Sequence, residues 1–171
     1  MATPRTLREL TTLDVVEAFA DSAEFVLFLR LTSLMDAPEM GALRDPQQRR
    51  VAILRGPTAK GLRALADYAR LGEGTFEALS FVRLQQNVMG AMPDQRLEPH
   101  HPVALAFMAA CARHDILGGH TPSPIQLGTL ASASVQTVRV LVRAGKLRLT
   151  DNAQVRAYCA DRRVPGFEAT S

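Results

Sequence analysis

The sequence lacks the features that distinguish disulfide-stabilised, secreted and membrane-spanning proteins. It has only two cysteines, Cys111 and Cys159, which lie far apart and form no motif. We therefore expect no disulfide framework, and a reducing cytoplasm is the expected compartment. The first residues carry charges where the apolar part of a signal peptide would lie, so none is predicted. The most apolar run, 25–35, contains Arg30 and is too short to span a bilayer.

Aromatic residues are also scarce, and the net charge is small. There is no tryptophan, with seven phenylalanines and two tyrosines, and the formal net charge is +3. Alanine and leucine dominate the composition, which favours helix. A chain of 171 residues that is 47% hydrophobic is long enough to bury a real core. We predict a mainly α-helical globular protein.

Sequence motifs for catalysis are missing as well. The chain has no G-x-S-x-G elbow, no glycine-rich phosphate loop and no H-E-x-x-H. The glycines of residues 72–77 follow no predicted strand and are better explained by a helix break. We therefore predict a protein that is not an enzyme, with no catalytic residues and no cofactor.

One group of residues has a spacing compatible with a metal site. Cys111 and His114 lie on one helical face, His120 follows, and His100 or His101 could supply the fourth ligand that structural zinc requires. A buried cysteine beside exposed histidines near a helix end accounts for the same pattern. We favour this second interpretation and expect no metal.

Apolar spacing predicts several helices before residue 118. The first begins near Thr12 and is apolar around so much of its circumference that it should be the central helix of the N-terminal half or a dimer interface. A loop, or a loop with one helical turn, is predicted over 36–50, and 51–57 fits either a helical turn or a strand. Three further helices are predicted, over 58–71 with Thr58 as its cap, 75–89 with Thr75 as its cap and Gly90 as its end, and 102–117.

A proline-rich stretch, 90–102, is the best candidate for a linker. It predicts a helical domain over 1–95, which would form a homodimer or bind a protein partner. The second domain would cover 96–171.

The second domain contains two short predicted helices joined by a turn of small residues. The first covers 125–131, the turn covers 132–134, and the second runs from Val135 to Ala144 with Ser134 as its N-cap. Gly128 or Ala131 can provide the small residue that crossing helices require. This arrangement is typical of a helix-turn-helix.

The residues after Gly145 admit two interpretations. Apolar and basic or polar residues alternate over 146–158, with turn residues between, which predicts a β-hairpin following the second helix, known as a wing. The competing interpretation is a helix from Asn152 to Asp161, capped by Asp151 or Asn152. We favour the hairpin.

The segment "LASASVQTVRVLVRAGKLRL" resembles the winged helix-turn-helix DNA-binding superfamily. It has the leucine–small residue pair, the turn, the serine cap, a T-V-x-x-L-V run and an A-G-K-L that opens the wing. It is also similar to the excisionase and MerR-type variants. The resemblance covers roughly residues 100–160, with Ser132 at the turn position usually held by glycine. It implies an N-terminal helical bundle followed by a winged helix-turn-helix with a short β-hairpin wing.

Charge is concentrated in the same part of the chain. Residues 126–171 contain seven Lys/Arg and three Asp/Glu, whereas the remainder has a slight acidic excess. A clustered basic surface favours a polyanionic partner. We predict a DNA-binding transcriptional regulator that reads double-stranded DNA with helix 135–144 and a basic wing. The expected DNA-binding residues are Ser134, Gln136, Thr137, Arg139, Arg143, Lys146, Arg148 and Arg156.

An alternative function explains the same fold without DNA. A winged-helix module can serve as a protein–protein adaptor within a multi-protein assembly. The wide apolar stripe of the first helix favours this alternative, because such a stripe needs cover.

Overall fold

The computed structural model describes residues 6–32, 45–74, 78–91 and 100–168. The described ranges contain eight α-helices and no β-strand. The mainly α-helical prediction is therefore confirmed. The helices are α1 Thr12–Thr32, α2 Pro46–Arg55, α3 Pro57–Leu71, α4 Ala78–Ala91, α5 Pro102–Leu117, α6 Pro124–Leu130, α7 Val135–Arg143 and α8 Asn152–Asp161.

Helix α1 begins at Thr12, as predicted, because of a local cap. The backbone N–H and the hydroxyl of Thr11 both donate to the Asp14 carboxylate, each at 2.6 Å. These bonds stabilise the charged form, so they hold the pKa of Asp14 below its usual value. Along its first half α1 buries Val15, Val16 and Phe19, and it packs against α2, α3 and α4, as expected of a central helix.

Helix α2 was predicted incorrectly as a loop followed by a turn or strand. Asp45 caps it by accepting a hydrogen bond from the backbone N–H of Gln47 at 3.0 Å, and Pro46 occupies its first turn. Proline is favourable there because a first-turn N–H has no helical partner to lose. The prolines of 36–50 favour a loop by their composition, but Pro46 starts a helix. Residues 36–44 of that loop prediction lie outside the described ranges.

The ends of α3 and α4 confirm the sequence prediction in part. Helix α3 stops at Leu71, where Gly72 adopts the left-handed conformation, but its cap is Gly56 and not Thr58. Helix α4 continues to Ala91, so Gly90 does not end it. The predicted cap Thr75 and residues 92–99 of the predicted linker lie outside the described residues.

A continuous cluster of buried apolar side chains extends from Leu7 to Phe167. Helix α5 lies within it, against α1 and α3 on one side and α6 on another. Four of its nine buried residues are alanines, among them Ala106, Ala109 and Ala112, whose small side chains allow neighbouring helices to approach closely. Helix α5 therefore links the N-terminal helices α1 and α3 to α6.

A buried arginine reinforces this link. Arg113 on α5 is 1% exposed and donates to the carbonyls of Ala69, at 3.3 Å, and Pro165, at 2.8 Å. Its guanidinium also lies over the rings of Phe167 and Tyr68, with 5.1 and 5.9 Å to the ring centroids. Burial lowers the pKa of Arg113. One cation thus joins the end of α3, α5 and the C-terminal segment.

The predicted β-hairpin wing is wrong, and the competing helix is confirmed as α8. Asp151 caps α8 by accepting from the backbone N–H of Gln154 at 3.1 Å, and the Gln154 side chain donates back to it at 2.9 Å. Val155 and Cys159, four residues apart, are buried along one helical face. The alternation over 146–158 covers too few residues to overcome this cap and stripe. The fold is therefore not a winged helix with a β-hairpin.

Candidate nucleic-acid interface

Helices α6 and α7 form the predicted two-helix unit. Ser123 and Gln126 make a reciprocal capping box at the start of α6, with bonds of 2.8 and 3.3 Å. Gly128 stands at the helix crossing, where an added Cβ would lie 2.9 Å from the Ala133 carbonyl oxygen. Of the two predicted crossing residues, Gly128 therefore makes the close approach. Ser132 in the turn has a φ of +49°, the conformation that glycine adopts most easily.

The inner face of α7 matches the predicted apolar stripe. Val138 is fully buried, and Leu141 and Val142 pack against the core cluster with partial exposure. After the left-handed Gly145, Leu147 returns to the core and fixes the loop that follows. This anchoring determines which α7 side chains face outward.

The outer face of α7 carries Gln136, Arg139, Val140 and Arg143, all exposed. Their spacing of three, four and seven residues places them on one helical stripe. Within the described part of the chain, the side chains of Gln136, Arg139 and Arg143 make no hydrogen bond or ion pair. Their donors are therefore available to a partner along about two helical turns.

Ser134 and Thr137 hold the start of this helix. The Ser134 Oγ accepts from the backbone N–H of Thr137 at 3.0 Å, and the two hydroxyls are 2.8 Å apart. The cap uses both hydroxyls, and Thr137 is half-buried. These two predicted contact residues set the position of the N-terminus of α7.

The remaining predicted contact residues are not arranged as a wing. Lys146 and Arg148 are exposed in the loop between α7 and α8. Arg156 lies on α8, where its Nε donates to Asn152 Oδ1 at 2.7 Å and its Nη2 reaches the Ile116 carbonyl at 3.4 Å. Arg156 thus connects α8 to the end of α5, which leaves Lys146 and Arg148 as the basic residues next to α7.

No acidic residue occurs in sequence between Asp115 and Asp151. That stretch contains all of α6 and α7 and four basic residues, Arg139, Arg143, Lys146 and Arg148. Asp151, the next acid, accepts hydrogen bonds from Gln154. The outer side of the unit therefore presents positive charge without an acidic residue from its own sequence to neutralise it.

The thiols and histidines do not form a reactive centre in the described residues. No group of three or more His, Cys, Asp or Glu side chains is placed to hold a metal ion there. Burial raises the pKa of Cys159 to about 12, and burial together with the Asp115 charge raises that of Cys111. Both thiols are therefore protonated at neutral pH, whereas a nucleophilic cysteine must be a thiolate.

Comparison with protein-family models, curated proteins and solved structures finds no match to this chain. Among the described helices, none is long and apolar enough to cross a membrane.

A second basic group was not anticipated from the sequence. Arg8, Arg70 and Arg163 line one cleft, although they belong to segments far apart in the chain. No spacing pattern connects residues so distant, so only the folded chain reveals them together.

Proposed function

We propose that this protein is a DNA-binding regulator that places α7 in the major groove of duplex DNA. The observation that carries the proposal is the exposed stripe of α7, where Gln136, Arg139 and Arg143 have no partner within the described residues. A helix fits the major groove of B-DNA, and Gln and Arg side chains can bond base edges there. The proposal does not involve a wing.

The residues of the α7 stripe and of the loop that follows are suited to two kinds of contact, to bases and to phosphates. Gln136 and Arg139 are nearer the N-terminus of α7, the end that contacts bases in helix-turn-helix proteins. Arg143 is at the last turn, and Lys146 and Arg148 follow it, so these three are suited to phosphates. Phosphate contacts supply affinity that falls with salt, whereas base contacts supply sequence preference.

Fluorescence anisotropy with a labelled random duplex of about 30 base pairs, a length that exceeds one recognition site, tests this. We expect wild-type protein to bind at low salt, and the double variant R139Q/R143Q to bind at least tenfold more weakly. The slope of log K against log salt should fall by about 1, because Arg143 is the one of the two that is suited to a phosphate. The double variant R55Q/R83Q is the matched control, because it removes the same charge from exposed positions on α2 and α4.

Two results would contradict the proposal. One is wild-type protein that does not bind duplex DNA at about 50 mM salt, where phosphate contacts are strong. The other is equal loss of binding in R139Q/R143Q and R55Q/R83Q, since the effect would then follow net charge and not α7.

Failure to bind DNA would favour the protein–protein adaptor. Val140, at the centre of the α7 stripe, is 51% exposed and is the observation that favours this second function. In DNA it would contact a thymine methyl group, but it suits an apolar patch on a protein equally well.

A further inference from the structure

The cleft lined by Arg8, Arg70 and Arg163 lies beside the turn of the helix-turn-helix and has a volume of about 200 Å³. Four segments form it: the residues before α1, the end of α3, the turn after α6 and the segment after α8. Its remaining lining residues are Leu7, Leu71, Leu130, Ser132, Val164 and Pro165. Three arginines thus line one small cleft that none of the described Asp or Glu residues lines.

The three arginines retain most of their donors. Arg8 donates to the Arg162 carbonyl, and Arg70 donates to the Thr12 hydroxyl at 3.2 Å. The Arg163 side chain has no hydrogen-bond or ion-pair partner among the described residues. Because a guanidinium has five N–H donors, each arginine has donors left for a ligand. The Asp14 carboxylate interacts with Arg70 but does not line the cleft.

Backbone strain is concentrated at the same cleft. In the described ranges, the non-glycine residues with positive φ are Ser132, at 49°, and Arg163, at 53°, and both line it. The left-handed conformation is unfavourable for residues with a Cβ and tends to persist at ligand-binding sites. The Ser132 Oγ is also buried without a hydrogen-bond partner. Such a group calls for an explanation, and a bound ligand provides one.

We propose that this cleft binds a phosphate-type oxyanion, with Arg70 and Arg163 as the principal cations and the Ser132 hydroxyl as a further donor. Arg8 adds charge at the rim. Pockets for drug-sized ligands begin at about 300 Å³, so this smaller cleft suits a single phosphate or phosphoryl group. No residue of α7 lines the cleft, and the proposal is therefore independent of DNA binding.

Thermal unfolding with inorganic phosphate, compared with chloride at equal ionic strength, measures this binding. Phosphate also stabilises proteins generally by exclusion from their surface, so the saturable difference between variants is the relevant quantity. At a phosphate concentration about ten times the Kd of the site, the wild-type Tm should rise about 3–5 °C more than that of a variant without the site. Glycerol phosphate in place of inorganic phosphate distinguishes the sources: tighter binding indicates a phosphoryl group on a small molecule, and equal or weaker binding indicates free phosphate.

Three variants make the test specific. R163Q and R163G should both lose the saturable rise, and R163G also relieves the positive φ, which protects the fold. The control R83Q removes one exposed charge from α4 and should keep the full rise. The proposal is overturned if phosphate and chloride give the same wild-type Tm, or if R163G and R163Q respond to phosphate as R83Q does.

Discussion

Arg113 and Arg139 are the same kind of side chain in opposite settings, and the difference separates structure from function in this protein. Arg113 is buried, donates to two backbone carbonyls and lies over two rings, so the fold itself uses its charge. Arg139 is exposed on α7 with no partner among the described residues. An exposed arginine on a helix face that has no partner in the fold, such as Arg139, is therefore a better candidate for a binding residue than a buried one such as Arg113.

We expect the largest effect from substitution of Arg113, which should lower the stability of the protein. R113M replaces the buried cation with an unbranched apolar side chain, leaving the carbonyls of Ala69 and Pro165 without their donor. We expect a loss of about 1–3 kcal/mol in the free energy of unfolding. The buried Ala69 carbonyl costs about 1–3 kcal/mol when it loses its donor, the partly buried bond to Pro165 adds less, and removal of a buried charge offsets part of this. Urea unfolding measures it.

The matched variant R139M should change stability by less than about 0.5 kcal/mol, because surface substitutions away from special contacts have small effects. The claim that Arg113 stabilises the fold is wrong if R113M is as stable as wild type. Desolvation of the buried guanidinium would then outweigh its hydrogen bonds, and Arg113 would need a role other than stability.

Gly128 tests the contrast between the buried inner side and the exposed outer side of the α6–α7 unit. In G128A the new methyl group would meet the Ala133 carbonyl oxygen, a backbone atom, at 2.9 Å. We expect a loss of about 1–2 kcal/mol in urea unfolding, since overpacking outweighs the higher helix propensity of alanine. DNA binding should weaken as α7 is displaced.

G61A provides the control for G128A within another helix. Its new methyl group would lie 2.8 Å from Leu84 Cδ1, the end of a flexible side chain that can move. It should be neutral or stabilising by up to about 1 kcal/mol, which is the propensity difference. Equal destabilisation by both substitutions would show that backbone proximity is not the cause at Gly128.

Features of this fold that depend on interactions within a few residues could be predicted from the sequence, whereas features that depend on distant segments could not. The two short helices α6 and α7 and the turn between them could be predicted because Ser134, Gly128 and the α7 stripe all act within a few residues. The wing failed because the alternation over 146–158 is also compatible with a helical stripe through Val155 and Cys159, and the Asp151 cap favours the helix. The arginine cleft and the burial of Arg113 depend on contacts between distant segments, which no short pattern encodes.

The last prediction concerns Ser132, which lies in the turn between α6 and α7. S132G places glycine in the left-handed backbone and removes a buried hydroxyl that lacks a partner. The strain of a side chain in this conformation is about 1–2 kcal/mol, and the greater freedom of glycine in the unfolded chain offsets part of it. We therefore expect S132G to be more stable than wild type by about 0.5–1 kcal/mol in phosphate-free urea unfolding.

S132A removes the hydroxyl but keeps the strain, so the difference between the two variants isolates the backbone contribution. If S132G unfolds at lower urea than S132A, the left-handed turn is not strained by serine, and backbone strain would no longer support a ligand site in the arginine cleft.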